Sequence, residues 1–343
     1  MRVVEIRAFG GAEVLEDAER PLPEPGPGAV RIRMRAAGFN PVDYKWRQGL
    51  ISPQLPVVLG RELAGVVDAV GEGVQAFRPG DEVFAWAGAG SSNGAYAEAV
   101  CVPAALVASK PAALSFAQAA AIPIAGMTAW VAVVERAQVR AGDAVLVAGG
   151  AGGVGSTAVP LLRHLGAAPL LVTAGSDASA AHLRDLGVDP HEVLRYDRTK
   201  DLAAEVHERT GGYGVAAAFD FVGGAMKRLC FDAVAADGSV VSIVEEPAEF
   251  PLDLWDETTS PLVTRSASFH FVQLGAAAHL GSPARLPAYG ERLARLASLY
   301  ESGALPPPLV EVVGPLAAHT ARSAHARLED GHVRGKLVLA LNR

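Results

Sequence analysis

The stretch Ala144-Val145-Leu146-Val147-Ala148-Gly149-Gly150-Ala151-Gly152-Gly153-Val154-Gly155 decides the fold. Five apolar residues read as a buried strand, the glycines from Gly150 to Gly155 satisfy G-x-G-x-x-G, and a helical stretch follows near 153–165. In this order the motif reads as dinucleotide-binding. Glycines permit a tight turn and let the backbone of Gly150, Ala151, Gly152, Gly153, Val154 and Gly155 approach a pyrophosphate, while the helix N-terminus adds partial positive charge. Detached from its strand and helix, such a hexapeptide in a chain with 37 glycines is an ordinary turn. One local rule is broken, since Pro160 inside the helix is expected to remove a hydrogen bond and kink it.

The same rhythm continues on both sides. From about 123 to 272, strands at 144–148, 170–173, 215–221 and 240–244 alternate with helices near 153–165, 178–186, 201–210 and 225–235. Alternation of this kind builds a parallel sheet covered on both faces, a doubly wound α/β domain. Residues 1–122 read instead as strands and turns. Val30, Ile32, Met34 and Ala36 alternate with Arg31, Arg33 and Arg35, the period of a half-buried strand. After 285 come an amphipathic helix marked by Leu286, Tyr289, Leu293, Leu296 and Tyr300, a strand at 309–313, a helix near 317–329 and a closing strand at 336–341. A chain of 343 residues exceeds what one core usually supports, so two domains are expected.

Composition narrows the function. Half the residues are hydrophobic, 20% are charged, and the net charge of −7 carries no run of like charges, so no nucleic-acid footprint is visible. The opening MRVVEIRAFGG reads as neither a signal peptide nor a membrane span. Cys101 and Cys230 lie far apart and suggest reduced thiols in a cytoplasmic protein rather than a disulfide framework. Which dinucleotide is bound depends on the end of the next strand, where an NAD site wants an acid about 20 positions on. Ala174 stands there, followed by Gly175 and Ser176, leaving room for a 2′-phosphate and favouring NADPH. Asp177 is read as the N-cap of the helix over 178–186; facing the ribose, it would favour NAD instead. No arginine adjoins it in sequence.

At this point the residues resemble the medium-chain dehydrogenase/reductase superfamily, and within it the zinc-free quinone oxidoreductase and enone reductase branch. The resemblance runs over nearly the whole chain: Ala37-Gly38-Phe39-Asn40-Pro41-Val42-Asp43, LPVVLGRELAGVVDAVGEGV (55–74), FRPGDEVFA (77–85), GAYAEAV (94–100), AAAIPIAGMTAW (119–130), AGGVG (151–155) and AHARLEDGHVRGKLVL (324–339). It implies a mainly β GroES-like catalytic domain built from 1–122 and 273–343, clasping a Rossmann NADP-binding domain at 123–272 with the active site in the cleft. A homodimer and a small-molecule electrophilic substrate go with it. Asn40 stands where the zinc enzymes of the superfamily keep a cysteine ligand, and Arg61 replaces the histidine of their Gly-His-Glu motif. The first 163 residues contain no histidine and a single cysteine, Cys101, so no zinc is expected.

Without a Lewis acid, polarisation must come from hydrogen bonds and a positioned charge. By the resemblance, Asn40 and Asp43 are cleft-facing polar groups, Lys45 matches the lysine of the enone-reducing relatives, and Thr128 meets the nicotinamide ribose. Thr173, Ser176 and Tyr196 surround the adenosine phosphate. Phe221, Val222, Ile243 and Phe271 wall the nicotinamide, and Lys336 approaches its cleft. Lys45 can equally be read as a solvated surface lysine. Arg61, beside Glu62, reads as a buried ion pair ahead of a catalyst, while Trp46 and Trp86 line either pocket or core. Two further motifs are set aside. Gly90-Ser91-Ser92-Asn93-Gly94 spells G-x-S-x-G but leads from a polar loop into a strand, the wrong context for a hydrolase elbow, and Tyr196 with Lys200 is a chance Y-x-x-x-K. Two function classes stay open: a zinc-free NADPH reductase of quinones or activated enones, or more broadly a carbonyl/alcohol dehydrogenase, and a nucleotide-binding sensor or structural protein that has lost turnover.

Overall fold

The computed structural model describes residues 1–341 apart from 51–52, 89–90, 92, 197–200, 248–249, 251–252 and 281. Gly90, Ser92 and Lys200 of the two discarded motifs therefore lie outside the described residues. The chain divides into two compact units, Met1–Met127 with Leu274–Arg343, and Thr128–Gln273.

The first unit opens with strands β1 (Arg2–Ile6), β2 (Leu15–Glu19), β3 (Ala29–Gly38), β4 (Val57–Val58), β5 (Glu62–Val70), β6 (Glu82–Trp86), β7 (Ala99–Pro103) and β8 (Val107–Ser109). Short helices α1 (Pro41–Arg47) and α2 (Phe116–Ala120) interrupt them, and the division between units falls inside α3 (Pro123–Trp130). The alternation expected of β3 is present. Val30, Ile32 and Met34 are buried, while Arg31 and Arg33 reach Asp68 on β5 at 2.8 and 2.5 Å.

The second unit holds β9 (Val145–Ala148), β10 (Leu170–Ala174), β11 (Val193–Arg195), β12 (Val215–Asp220), β13 (Val234–Ser242) and β14 (Ser268–Phe271), separated by α4 (Gly155–His164), α5 (Asp177–Asp185), α6 (Leu202–Arg209), α7 (Ala225–Ala233) and α8 (Pro261–Thr264). The sheet runs β11-β10-β9-β12-β13-β14, parallel throughout. Its order reverses at β9, the switch point where such sheets bind ligands beyond their carboxyl ends. Strands β11 and β14 were not anticipated from the sequence. Helix α4 runs through Pro160.

The chain then returns to the first unit with α9 (Ala276–His279), α10 (Pro287–Glu301), β15 (Val310–Gly314), α11 (Ala318–Glu329) and β16 (Lys336–Ala340). These last strands extend the larger sheet of that unit, ordered β15-β16-β3-β5-β6-β8 with β7 on β3. Tyr289, Leu293, Leu296 and Tyr300 form the buried stripe of α10, as their spacing predicts.

Candidate functional site

In the second unit the glycine turn is shaped by what a side chain would strike. A Cβ at Gly150 would lie 2.2 Å from a Val172 methyl, and one at Gly155 would lie 2.2 Å from the Gly149 carbonyl oxygen. At Gly152 the nearest atom is 3.5 Å away, so the turn offers its backbone to an approaching group there. Thr173 Oγ1 accepts from the Gly149 N–H at 3.2 Å and ties the turn to β10. Beside it lie the ends of three neighbouring strands: Phe221 and Val222 after β12, Ile243 after β13, and Phe271 closing β14. Ser242 and Phe271 share one register position, so these side chains gather at one edge of the sheet. Val222 and Phe271 are exposed there. The cradle and the apolar edge fit a dinucleotide. Thr128, in α3, is buried.

A network that sequence reasoning missed holds the apolar loops in place. Asp220, fully buried, accepts from the N–H groups of Val222 (3.1 Å) and Gly223 (2.7 Å) and from Ser242 Oγ (2.7 Å). Lys227 donates to the Val244 carbonyl at 2.5 Å and pairs with Glu246 at 3.0 Å, and Glu246 accepts from Gly224 N–H at 2.7 Å. The loops after β12 and β13 are thus pinned by a buried acid and a buried base.

At the carboxyl end of β10 the sequence reading is corrected. Ser176, not Asp177, caps α5, accepting from the Ser179 N–H at 3.1 Å. Asp177 is the first helical residue and pairs with Arg195 at 2.9 Å. Arg195 lies opposite Ala174 in the parallel register of β10 and β11. An arginine thus stands next to the small-residue bed that sequence adjacency left without one. Tyr196, exposed, donates its backbone N–H to the Ala174 carbonyl at 3.0 Å.

In the first unit, Asn40, Glu62 and Lys336 form a buried knot. The Lys336 ammonium donates to the Phe39 carbonyl (3.0 Å), Asn40 Oδ1 (2.5 Å) and Glu62 Oε1 (2.5 Å), so all three of its protons stay within this unit. Glu62 also accepts from Asn40 Nδ2 (2.9 Å) and from the Ile124 N–H (2.7 Å). The ion pair expected between Arg61 and Glu62 is therefore replaced by Lys336–Glu62. Arg61 instead sits over the Trp46 ring, its guanidinium carbon 3.6 Å from the ring centroid. Asp43 accepts from the Asn40 N–H at 2.8 Å at the start of α1; burial raises its carboxyl to about 6 against the opposing pull of Arg61. Tyr96, wedged against Gly60, hydrogen-bonds His325 at 3.2 Å. Burial holds its phenol well above the ordinary range and pushes His325 down to about 3, so the imidazole is neutral. Lys45 follows Asp43 by two residues, about 200° around the helix axis, and is partly buried. Trp86 stacks on Tyr289 in the core at 4.6 Å.

This donor set does not fit zinc. Glu62 is committed to Lys336, Asn40 and Ile124, its neighbouring positions hold Asn and Arg, and among the described residues no group of three His, Cys, Asp or Glu side chains is placed to hold a metal ion. Among the described residues, no helix is long and apolar enough to cross a membrane.

The chain matches the family described as Alcohol dehydrogenase GroES-like domain over residues 26–112, and that described as Zinc-binding dehydrogenase over 186–339. It is 32% identical over 341 residues to the NADPH-dependent alkenal/one oxidoreductase of Arabidopsis thaliana, covering 96% of this chain and 77% of that one. It is also 32% identical over 314 residues to a mycocerosic acid synthase-like polyketide synthase of Mycobacterium tuberculosis, covering 89% of this chain but only 14% of that protein. Among solved structures, mycobacterial Rv1454c complexed with NADPH superposes with a TM-score of 0.84 at 32% identity, covering 99% and 100% of the two chains. An NAD-dependent alcohol dehydrogenase does so at 0.85 and 35%, with both chains fully covered. The chain belongs to the medium-chain dehydrogenase/reductase superfamily.

Proposed function

We propose that this chain is an NADPH-dependent oxidoreductase, independent of zinc, that delivers hydride to a quinone or an α,β-unsaturated carbonyl. The observation that carries the reading is the glycine turn closed by its own backbone at Gly155 and open at Gly152, with Arg195 set beside Ala174. When bound, NADPH supplies the hydride. The turn and the N-terminus of α4 suit a pyrophosphate, Arg195 and Ser176 suit a 2′-phosphate, and the edge of Phe221, Val222, Ile243 and Phe271 suits a nicotinamide. With Glu62 spent on Lys336 and no metal-holding group among the described residues, the reading favours acceptors already electron-poor. The alkenal/one oxidoreductase relative agrees with that class.

Two outcomes test this. NADPH is expected to bind more tightly than NADH in a nicotinamide-fluorescence titration. Arg195→Ala should remove about tenfold of that preference, the worth of one charged hydrogen bond to phosphate; equal affinities in the parent protein defeat the cofactor assignment. Turnover of a small quinone or enone should also survive a strong chelator. Loss of turnover that added zinc restores would defeat the metal-free reading.

A further inference from the structure

The carboxyl edge of the second unit's sheet carries exposed apolar side chains on a frame of buried charge. Val222 and Phe271 are exposed there, whereas Asp220, at the end of β12, and Lys227, in α7, are buried. The frame holds the main chain of both neighbouring loops. After β12, the N–H groups of Val222 and Gly223 donate to Asp220 Oδ1, and that of Gly224 donates to Glu246 Oε1. After β13, the Ile243 N–H donates to the Asp220 carbonyl at 3.2 Å and the Val244 N–H to Ser242 Oγ at 3.2 Å. Lys227 closes the frame. Its ammonium donates to the Val244 carbonyl, pairs with Glu246 at 3.0 Å and stands 3.8 Å from Asp220 Oδ2. One cation thereby joins the acid that holds the first loop to the acid and the carbonyl of the second. The loops are also in close contact. A Cβ on Gly223 would lie 2.8 Å from a Val244 methyl and 3.0 Å from Glu246 Oε1, and one on Gly149 would lie 2.7 Å from a Val222 methyl. The loop after β12 is thus held to its neighbour on one hand and to the glycine turn on the other.

We propose that Lys227 is a positioning residue for the nicotinamide half of the cofactor, holding the loops of Val222 and Ile243 together so that their side chains form one wall. The inference rests on the NADPH reading above and adds to it the residue that shapes the hydride-donating end. Burying two acids and a base gains little stability, because desolvation offsets much of their attraction. It does favour one backbone arrangement, since the cation meets both carboxylates only when the two loops take these paths. Without Lys227, Asp220 keeps its two loop amides and Ser242, and Glu246 keeps the Gly224 N–H. What goes is the link between the loops: the Val244 carbonyl loses its donor and the two acids lose the cation they share. Ser176 and Arg195 stand with β10 and β11, on the opposite side of β9 in the sheet order. The perturbation should therefore spare the phosphate-binding half of the site.

Two ligands titrated into the full chain separate positioning from mere support of the fold. NADPH, followed by nicotinamide fluorescence, carries both halves of the cofactor. Adenosine 2′,5′-bisphosphate, followed by calorimetry, carries the adenosine half alone. Wild type is expected to bind NADPH more tightly than the bisphosphate. Lys227→Met should weaken NADPH about tenfold or more, leave the bisphosphate unchanged, and move the emission of bound NADPH towards that of the free cofactor. Glu246→Gln is the milder variant, since its amide oxygen can still accept from the Gly224 N–H while bringing no charge to Lys227. It should show the same split at smaller size, and it decides the matter if Lys227→Met does not fold. Equal losses for both ligands, or NADPH binding that neither variant alters, overturns the assignment and leaves the cofactor reading standing. If wild type binds NADPH no more tightly than the bisphosphate, the apolar edge contributes nothing and the assignment falls, while the phosphate-binding half survives. Binding of neither ligand by wild type removes the cofactor reading itself, and the role of Lys227 with it.

Discussion

Lys336→Met should lower the unfolding free energy of the first unit by about 3–5 kcal/mol, the usual cost of stripping one partner from a buried ion pair. Glu62 is fully buried and the Lys336 ammonium sits 2.5 Å from its Oε1. Methionine nearly fills the lysine's volume, so the loss reflects charge rather than a cavity. The carboxylate left behind keeps the Asn40 amide and the Ile124 N–H, which soften the penalty without removing it. The double substitution Glu62→Leu with Lys336→Met should recover part of the stability, because the charges leave together, but not all of it, because Asn40 and the Ile124 N–H lose their acceptor. Equilibrium unfolding reports the unit concerned if fluorescence is read from variants retaining only Trp46 and Trp86, both of which lie in it. A loss under about 1 kcal/mol, the range of exposed pairs, would mean that water reaches the knot.

The parts of this molecule that could be read from sequence are those set by local periodicity. The strand–turn–helix around Gly150, the alternating β3 and the stripe of α10 each announce themselves within a dozen residues. What escaped depends on contacts distant in sequence or on elements too short to carry a period. Strand β11 is three residues long, with no room for alternation, yet it delivers Arg195 to Ala174 across 21 residues of chain. Strand β14 reads Ser-Phe-His-Phe, half polar, and only its pairing with β13 makes it a strand. The Arg61–Glu62 pair was inferred from adjacency, but consecutive residues of an extended chain point to opposite faces. Glu62 turns inward to a lysine 274 residues away, and Arg61 turns to Trp46. Asp220 carried no motif at all; its importance lies in the loop amides that fold back onto it. The candidate site residues at strand ends were legible as positions, whereas the partners that fix their state were not.

Gly155→Ala is expected to weaken NADPH about 10–100-fold and to destabilise the second unit as well. The backbone at Gly155 is ordinary for any residue, so the cost is one of space. Its Cβ would stand 2.2 Å from the Gly149 oxygen and 2.5 and 2.7 Å from Gly150 Cα and carbonyl carbon, all main-chain atoms that cannot rotate aside. Relief requires the first turn of α4 to retreat from β9. Forced overpacking of this kind typically costs about 1–3 kcal/mol, and the retreat carries the helix N–H groups away from where a diphosphate would sit. Gly152→Ala separates the two effects. With its nearest atom, the Gly149 carbonyl oxygen, 3.5 Å off, the added methyl makes only ordinary van der Waals contact, so thermal stability should stay unchanged. Any loss of NADPH affinity there reports a ligand lying against that backbone. The pair of variants therefore makes opposite demands: Gly155→Ala must move both the melting temperature and the dissociation constant, Gly152→Ala the second alone. If Gly152→Ala binds NADPH as tightly as the parent protein, the pyrophosphate does not pass over this turn, and the cofactor site proposed for the second unit is wrong.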